Sequence, residues 1–572
     1  MPPYPYHRTR TRIAPVPLKG LTVSTSSFSR RTLLRSIAAS GAALAAPSVL
    51  AACSSSSSGG HDVSNAGKKL APWPTYKPVS GPAPDLPGTA DGVQPGYLTY
   101  PKNLVSAVAD KPGNGETIKV MTISYGTPPK PASENKFWAA VNKALGVNIE
   151  FTVVPDSDYD NKMATLMAGN DLPDVINLGG GHVLPREAQF VQAKCADLSE
   201  YLAGDAVKDY PNLANIPTYA WEDMGRISGR ILGIPVQRSA PGTTLWINND
   251  IFSAAGMKEG WTSDDFLAVA KEATHGKKYA LGAAQQTGFG FAVHTMAFGA
   301  PQEWKLDGGH FVDAYGTDEY KAGLEFMLKL RQAGTYLPNA LSTSTVDCKT
   351  LFYNGTVASM GDGFGALTTS IPSIKDAFVL DGAVPYAPSG GGKPGMERAR
   401  GIFGYTVLKK AAPERIKLIL RVLDYLAAPF GTKEYELTHF GIEGTHFTRD
   451  AEGSPIPTDL GLVESTVNLP IKYLSDAPQV LYLPGRPDDV KRGHAWQVKI
   501  APMLVRNPRF GLQSETFTRS GATIGQYRLD TIGAIVAGHK PLSAWDEAVK
   551  KMRGDGLDKI ADEYAADYAA NH

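Results

Sequence analysis

Cysteine is scarce: the 572 residues hold three, Cys53, Cys195 and Cys348. Three cysteines at these separations give neither a disulfide framework nor the paired spacing of a zinc site. Stability therefore has to come from apolar cores, and Cys195 and Cys348 are expected as buried thiols. Long apolar runs are missing too. The best one, Ser36 to Ala52, falls short of the ~20 residues that span a bilayer, and it carries Gly41 and Pro47. The short motifs of common catalysts are absent as well: no His-Glu-x-x-His helix, no Gly-x-Ser-x-Gly elbow and no Walker loop. Gly390-Gly391-Gly392-Lys393 runs into Pro394, where that loop needs Ser or Thr, and Gly361-Asp362-Gly363-Phe364-Gly365 lacks the dinucleotide spacing. A glycan-cleaving carboxylate pair need not be close in sequence; nothing else points to an enzyme.

Acidic residues are absent from the first 52 positions, where seven basic ones sit. Ser29-Arg30-Arg31-Thr32-Leu33-Leu34-Arg35 resembles a twin-arginine export motif, and Leu50-Ala51-Ala52-Cys53 a bacterial lipobox with Cys53 as the lipidated residue. Residues 1–52 thus read as a signal peptide. Residues 53–115 read as a lipidated cysteine followed by a Ser/Gly/Pro-rich tether. Acyl chains contribute about 0.8 kcal/mol per buried methylene, so the expected location is the outer face of the cell membrane. Taking the seven leader bases from 57 leaves 50 basic against 56 acidic residues, a mild negative charge that attracts neither nucleic acid nor anionic lipid.

The globular pattern starts at Thr117. Thr117–Ile123, Asn148–Val154 and Asp174–Leu178 read as buried strands. They alternate with helices capped by Ser133 and opened by Ser157. Strand–helix–strand with short links favours parallel pairing, hence a doubly wound α/β sheet. Ile231–Val236, Thr243–Asn248, Val357–Met360, Phe378–Val384 and Ile402–Leu408 read as further strands. Helices are expected after Thr262 or Ser263, after Thr317, from Pro413 to about Ala427, and twice near the end.

Six segments stand out along the chain. The first three are Leu166-Met167-Ala168-Gly169-Asn170-Asp171-Leu172-Pro173-Asp174-Val175; Ala196-Asp197-Leu198 with Tyr201-Leu202; and Gly229-Arg230-Ile231-Leu232-Gly233-Ile234-Pro235. Leu245-Trp246-Ile247-Asn248-Asn249-Asp250-Ile251-Phe252, Gly355-Thr356-Val357-Ala358-Ser359-Met360 and Gly441-Ile442-Glu443-Gly444 follow. In this order they resemble the family of bacterial extracellular solute-binding proteins that serve sugar importers, in its larger lipoprotein branch. The resemblance implies a type II periplasmic-binding-protein-like fold, two lobes of doubly wound sheet joined by hinge strands with a ligand cleft between. It places lobe one at 116–240 and 401–440, lobe two at 241–400, and the lobe two remainder with the C-terminal helices at 441–572. It further implies a carbohydrate ligand and permease subunits of an ABC transporter as partners, with no cofactor. The acidic calcium loop of some relatives is not found, so no metal is expected; a monomer is.

In open α/β sheets ligands sit beyond the carboxyl ends of strands. That rule selects Tyr125, Gly180, His182, Asp362 and Phe364. Trp304, Arg238 and Glu443 join them as a further flat face and as groups that bond hydroxyls. A pyranose offers an apolar face and a rim of hydroxyls, which suits aromatic rings mixed with such groups. Each also has a structural reading: Tyr125 packed in the cleft, His182 as a structural hydrogen-bonder, Glu443 satisfying backbone amides. A non-sugar solute, such as a peptide, and a sensory lipoprotein that delivers nothing remain open on these residues.

Overall fold

The computed structural model describes residues 62–571, apart from 80, 90–91, 286–289, 375 and 466–467. Arg30, Arg31 and Cys53 lie outside the described residues. Among those described, no helix is long and apolar enough to cross a membrane.

Two sheets position the site. Their strands are β1 (Thr117–Ser124), β2 (Asn148–Pro155), β3 (Val175–Gly179), β4 (Ile234–Gln237), β5 (Thr243–Asn248), β6 (Ser359–Gly363), β7 (Leu380–Gly382) and β8 (Ile402–Leu408). The first sheet runs β2-β1-β3-β8-β4. β1 is parallel to β2 and β3, while β8 is antiparallel to β3 and β4. The parallel part follows from helical crossovers α1 (Lys136–Leu145) and α2 (Tyr159–Ala168). Asn135, and not Ser133, caps α1 by accepting from the Trp138 amide at 2.8 Å, and Gly146 closes it at φ 68°. A short turn at Asp156–Asp158 delays the start of α2 to Tyr159.

The second sheet, β7-β5-β6, is antiparallel throughout, which corrects the expectation of a second doubly wound sheet. β6 and β7 are mutually parallel and a helix, Leu367–Ile374, does connect them. However, β5 enters between the two in the opposite direction, so no parallel pair forms.

Two hydrophobic cores accompany the sheets. The first gathers Ile118, Val120 and Ile123 of β1 with Phe137, Val141, Ile176, Leu178 and Val407. The second gathers Leu245, Trp246 and Ile247 of β5 with Phe252, Phe266, Met360, Trp496 and Tyr564. Each large side chain buried in this way contributes about 1.5–3 kcal/mol. The chain passes between the cores from Ile234 to Leu245, from Met396 to Ile402, and from Leu474 to Leu481. Leu469, Ile471 and Leu474 belong to the first core, so the stretch after residue 441 supplies both.

The Pro-rich stretch from residue 62 to 115, expected as a tether, is packed along the body. Val63 and Ala71 enter the first core, and Tyr97 and Tyr100 cluster with Phe430 and Tyr482. Asn65 is buried; its amide N–H donates to Asp567 at 2.8 Å and its side chain donates to the Arg226 carbonyl at 3.1 Å. Proline forbids helix here but leaves extended chain free to pack and to bond through side chains.

Candidate ligand-binding site

β1 and β3 end side by side, and the residues just beyond them form a small aromatic platform. Gly180 adopts φ +75°, and a Cβ there would come within 2.3 Å of the Tyr125 hydroxyl. Glycine thus lets that hydroxyl reach over the turn, where it donates to the Gly180 carbonyl at 3.4 Å. The Gly180 N–H donates to the Phe403 carbonyl at 3.1 Å, tying the turn to β8. Phe403 and Tyr473 stack with centroids 4.2 Å apart and planes at 12°. Tyr125 meets both edge-on, at 6.3 and 6.1 Å, and is 48% exposed.

Charged groups frame these rings. The Arg238 guanidinium lies 5.3 Å from the Phe403 centroid and 5.8 Å from that of Tyr473. It donates to the Gln237 carbonyl at 2.7 Å and pairs with Asp476 at 3.5 Å. Asp476 also meets His439 at 3.1 Å. Lys472 places its ammonium 5.5 Å from the Tyr473 centroid. Burial, then the neighbouring Arg238, lower its pKa to about 8, with Asp476 opposing. His182 bridges Asp156 at 3.0 Å and Asp160 at 2.8 Å. Burial disfavours its charged ring, but the bonds and charges of the two carboxylates outweigh it and raise its pKa above the ordinary value.

Asp362 stands at the end of β6, on the second sheet, paired with Lys349 at 2.7 Å. Its charge reaches the platform. The Tyr473 hydroxyl is pushed above the usual phenol range by burial first and, against Arg238, by Asp476, Asp156 and Asp362. A carboxylate of the second sheet therefore acts on a ring beside the first.

Of the eight residues selected from sequence, Tyr125, Gly180, His182 and Arg238 are brought together at this platform, while Asp362, on the second sheet, acts on it through its charge alone. Three are elsewhere. Phe364 is 3% exposed and lies parallel to Trp496, centroids 5.4 Å apart, with Trp246 stacked nearby. Trp304 is 4% exposed against Phe311 and Tyr564. It belongs to a hairpin, Trp304–Asp307 with His310–Asp313, whose inner face is core. Glu443 is solvent-facing and pairs with Arg449 at 3.1 Å. Phe403, Lys472, Tyr473 and Asp476 were missed. Phe403 sits at the entry of a legible strand, where a residue before the buried run is a candidate. The segment around Tyr473 carries no periodicity to find it by.

A cavity of about 350 Å³ lies apart from the platform, walled by Leu245, Phe266, Met296 and Tyr386. Glu303 lines it, accepting from Arg509 at 2.8 Å and Asn507 at 2.9 Å. Burial alone would raise the Glu303 carboxyl, yet Arg509 and Arg528 bring it down to about 2. None of the eight residues lines this cavity.

The architecture is two hydrophobic cores with an aromatic and charged platform beside the first sheet. A model of the bacterial extracellular solute-binding protein family matches residues 121–432, more than half of the chain, and the chain belongs to that family. It is similar to two proteins of Bacillus subtilis (strain 168), each 24% identical. One is lipoprotein LipO, over 78% of this chain and 91% of that one. The other is the polygalacturonan/rhamnogalacturonan-binding protein YtcQ, over 80% and 93%. Its fold resembles that of the Streptococcus pneumoniae ABC-transporter substrate-binding protein FusA, solved with kestose. The TM-score is 0.59 at 18% identity, over 80% of this chain and all of that one. The protein is thus a solute-binding protein of an extracellular family, and it is not an enzyme.

Proposed function

We propose that the solute is a sugar or oligosaccharide, held in a cleft between two lobes and handed to a membrane permease. The lobes correspond to the two cores, and the three passages between them act as hinges. The observation that carries this reading is the Tyr125–Phe403–Tyr473 platform beyond the carboxyl ends of β1 and β3, rimmed by Arg238 and Asp476. Flat apolar rings beside donors and acceptors complement a pyranose. The names of the relatives, which concern polygalacturonan and kestose, support the same class. Ligand binding both lobes favours the closed form by its difference in affinity for closed and open forms.

The test is a thermal-shift screen of the purified protein against mono- and oligosaccharides, followed by calorimetry. A saturable rise in melting temperature with at least one saccharide, and no product, is the expected result. Selective binding of a peptide or other non-sugar solute overturns it. The cavity beside Glu303, of a volume that ligand sites commonly have and with mainly apolar walls, favours that second reading. A Phe266→Ala variant that loses binding while Tyr473→Ala keeps it would locate the solute there.

The membrane arrangement belongs to the same proposal: export through Arg30 and Arg31, then lipid attachment at Cys53. Cys53→Ala should release the protein from the membrane fraction into the medium; retention of the variant speaks against the anchor.

A further inference from the structure

Among the described residues, the ionisable groups named around the platform are paired, with one exception. Arg238 has Asp476 at 3.5 Å, His439 has the same carboxylate at 3.1 Å, His182 has Asp156 and Asp160, and Asp362 has Lys349. Lys472 has no carboxylate within 4.0 Å among the described residues; its ammonium lies 5.5 Å from the Tyr473 ring centroid. It is half-buried, on the turn Ile471–Tyr473 whose Ile471 is anchored in the first core, so its position is held by packing. Arg238 adds positive potential, since both cations lie within 6 Å of one ring. Desolvating an ammonium without an opposite charge is unfavourable, and a ligand that supplies the charge removes that cost.

We propose that Lys472 is a ligand-binding residue whose ammonium pairs with a carboxylate of an acidic saccharide, a chain of uronate rings, stacked on Tyr473. This rests on the saccharide reading above and narrows it. A single point charge beside stacked rings suits one carboxylate on a ring better than a neutral hydroxyl, which gains little from an unpaired ammonium. The groups facing the ammonium are Arg238, Asp476 and the Tyr473 ring. With a free-state pKa of about 8, the ammonium is fractionally deprotonated in mild alkali. Pairing with an anion raises that pKa, so binding there takes up protons.

Calorimetry of the wild type, Lys472→Gln and Lys472→Arg with trigalacturonate and its methyl ester tests this. The wild type should bind the acid at least ten-fold more tightly than the ester. Lys472→Gln should lose that preference and Lys472→Arg keep it. At pH 8.5, in buffers of different ionisation enthalpy, the wild type should show proton uptake on binding the acid and Lys472→Arg none, because arginine stays charged. Equal affinity of the wild type for acid and ester, or a preference that survives in Lys472→Gln, overturns the role of Lys472 and leaves the saccharide reading standing. Failure of every saccharide in the screen above, together with binding of a non-sugar solute, overturns both.

Discussion

Trp304 and Tyr473 show how far a single residue can be read from its neighbours in sequence. Trp304, selected as a flat face for the ligand, lies in a hairpin whose inner face is core; Tyr473 had no signal and lies at the centre of the platform. Their substitutions should separate accordingly. Trp304→Ala should cost about 3–5 kcal/mol of stability, as large-to-small core changes do, read from denaturant unfolding, with ligand affinity per folded molecule unchanged. Tyr473→Ala should cost less stability than Trp304→Ala, about 1–2 kcal/mol for a half-buried stacked ring, and weaken binding about ten-fold by calorimetry, the order expected for a lost aromatic contact. A second residue-scale case is His294, fully buried with its two ring nitrogens each 2.7 Å from a tyrosine hydroxyl, of Tyr386 and Tyr336. Burial lowers its pKa to about 3, from an ordinary 6.5. Between those values the unfolded chain binds a proton that the folded one refuses, so stability falls as pH drops from about 6.5 toward about 3. A His294→Gln variant, which keeps a donor and an acceptor between the hydroxyls, should show a flatter melting-temperature profile over that range. An identical slope in both proteins excludes His294 as a source.

Elements were more legible than single residues where one period dominated. β5 and β8 were read to the residue, and β1 and β2 to within one, because apolar runs of five to eight residues between Gly, Pro or Asn punctuation have few other readings. Topology was harder. The pairing of β8 with β3 depends on Gly404, where a Cβ would stand 2.1 Å from the Leu178 carbonyl oxygen and 2.4 Å from the Gly179 Cα. Nothing in a run of seven mostly apolar residues announces which partner strand will come that close. Gly404→Val should force β3 and β8 apart at the platform end. We expect a loss of roughly 1–3 kcal/mol in chemical denaturation, the range for overpacking, and weaker ligand binding, since Phe403 and Gly180 are joined across this pair. The segment 62–115 was opaque for another reason. Its anchoring runs through isolated residues: Val63, Ala71, Tyr97 and Tyr100 pack against distant parts of the chain and Asn65 bonds to Asp567 and Arg226, and such contacts leave no periodic trace.

At the scale of the whole molecule, the two cores are joined at places rich in buried charge. Asp223, almost fully buried, pairs with Arg506 and with Arg398 at 3.4 Å, while the Arg400 side chain donates to the Asp223 carbonyl at 2.8 Å. Arg398 and Arg400 flank the passage from Met396 to Ile402. Removing the carboxylate in Asp223→Ala leaves Arg506 and Arg398 without their partner, while the Arg400 bond to the backbone carbonyl survives. Arg506 is partly exposed and screened, so we expect a loss at the low end for a broken buried pair, about 2–3 kcal/mol by denaturant unfolding. The hinge reading makes its own prediction. If the passages bend as hinges, bringing Asp362 and Lys349 down onto the Tyr125–Phe403–Tyr473 platform, saturating ligand should make the particle more compact without changing its mass. Small-angle scattering of the purified protein, with and without a saccharide identified in the thermal-shift screen, reads this as a fall in the radius of gyration. Asp223→Ala, by loosening one passage, should raise the radius of the free form and leave that of the bound form unchanged, because ligand contacts to both sides then set the closed geometry. An unchanged radius on saturation would mean that the solute enters a rigid body, and closure would have no part in presenting it to the permease.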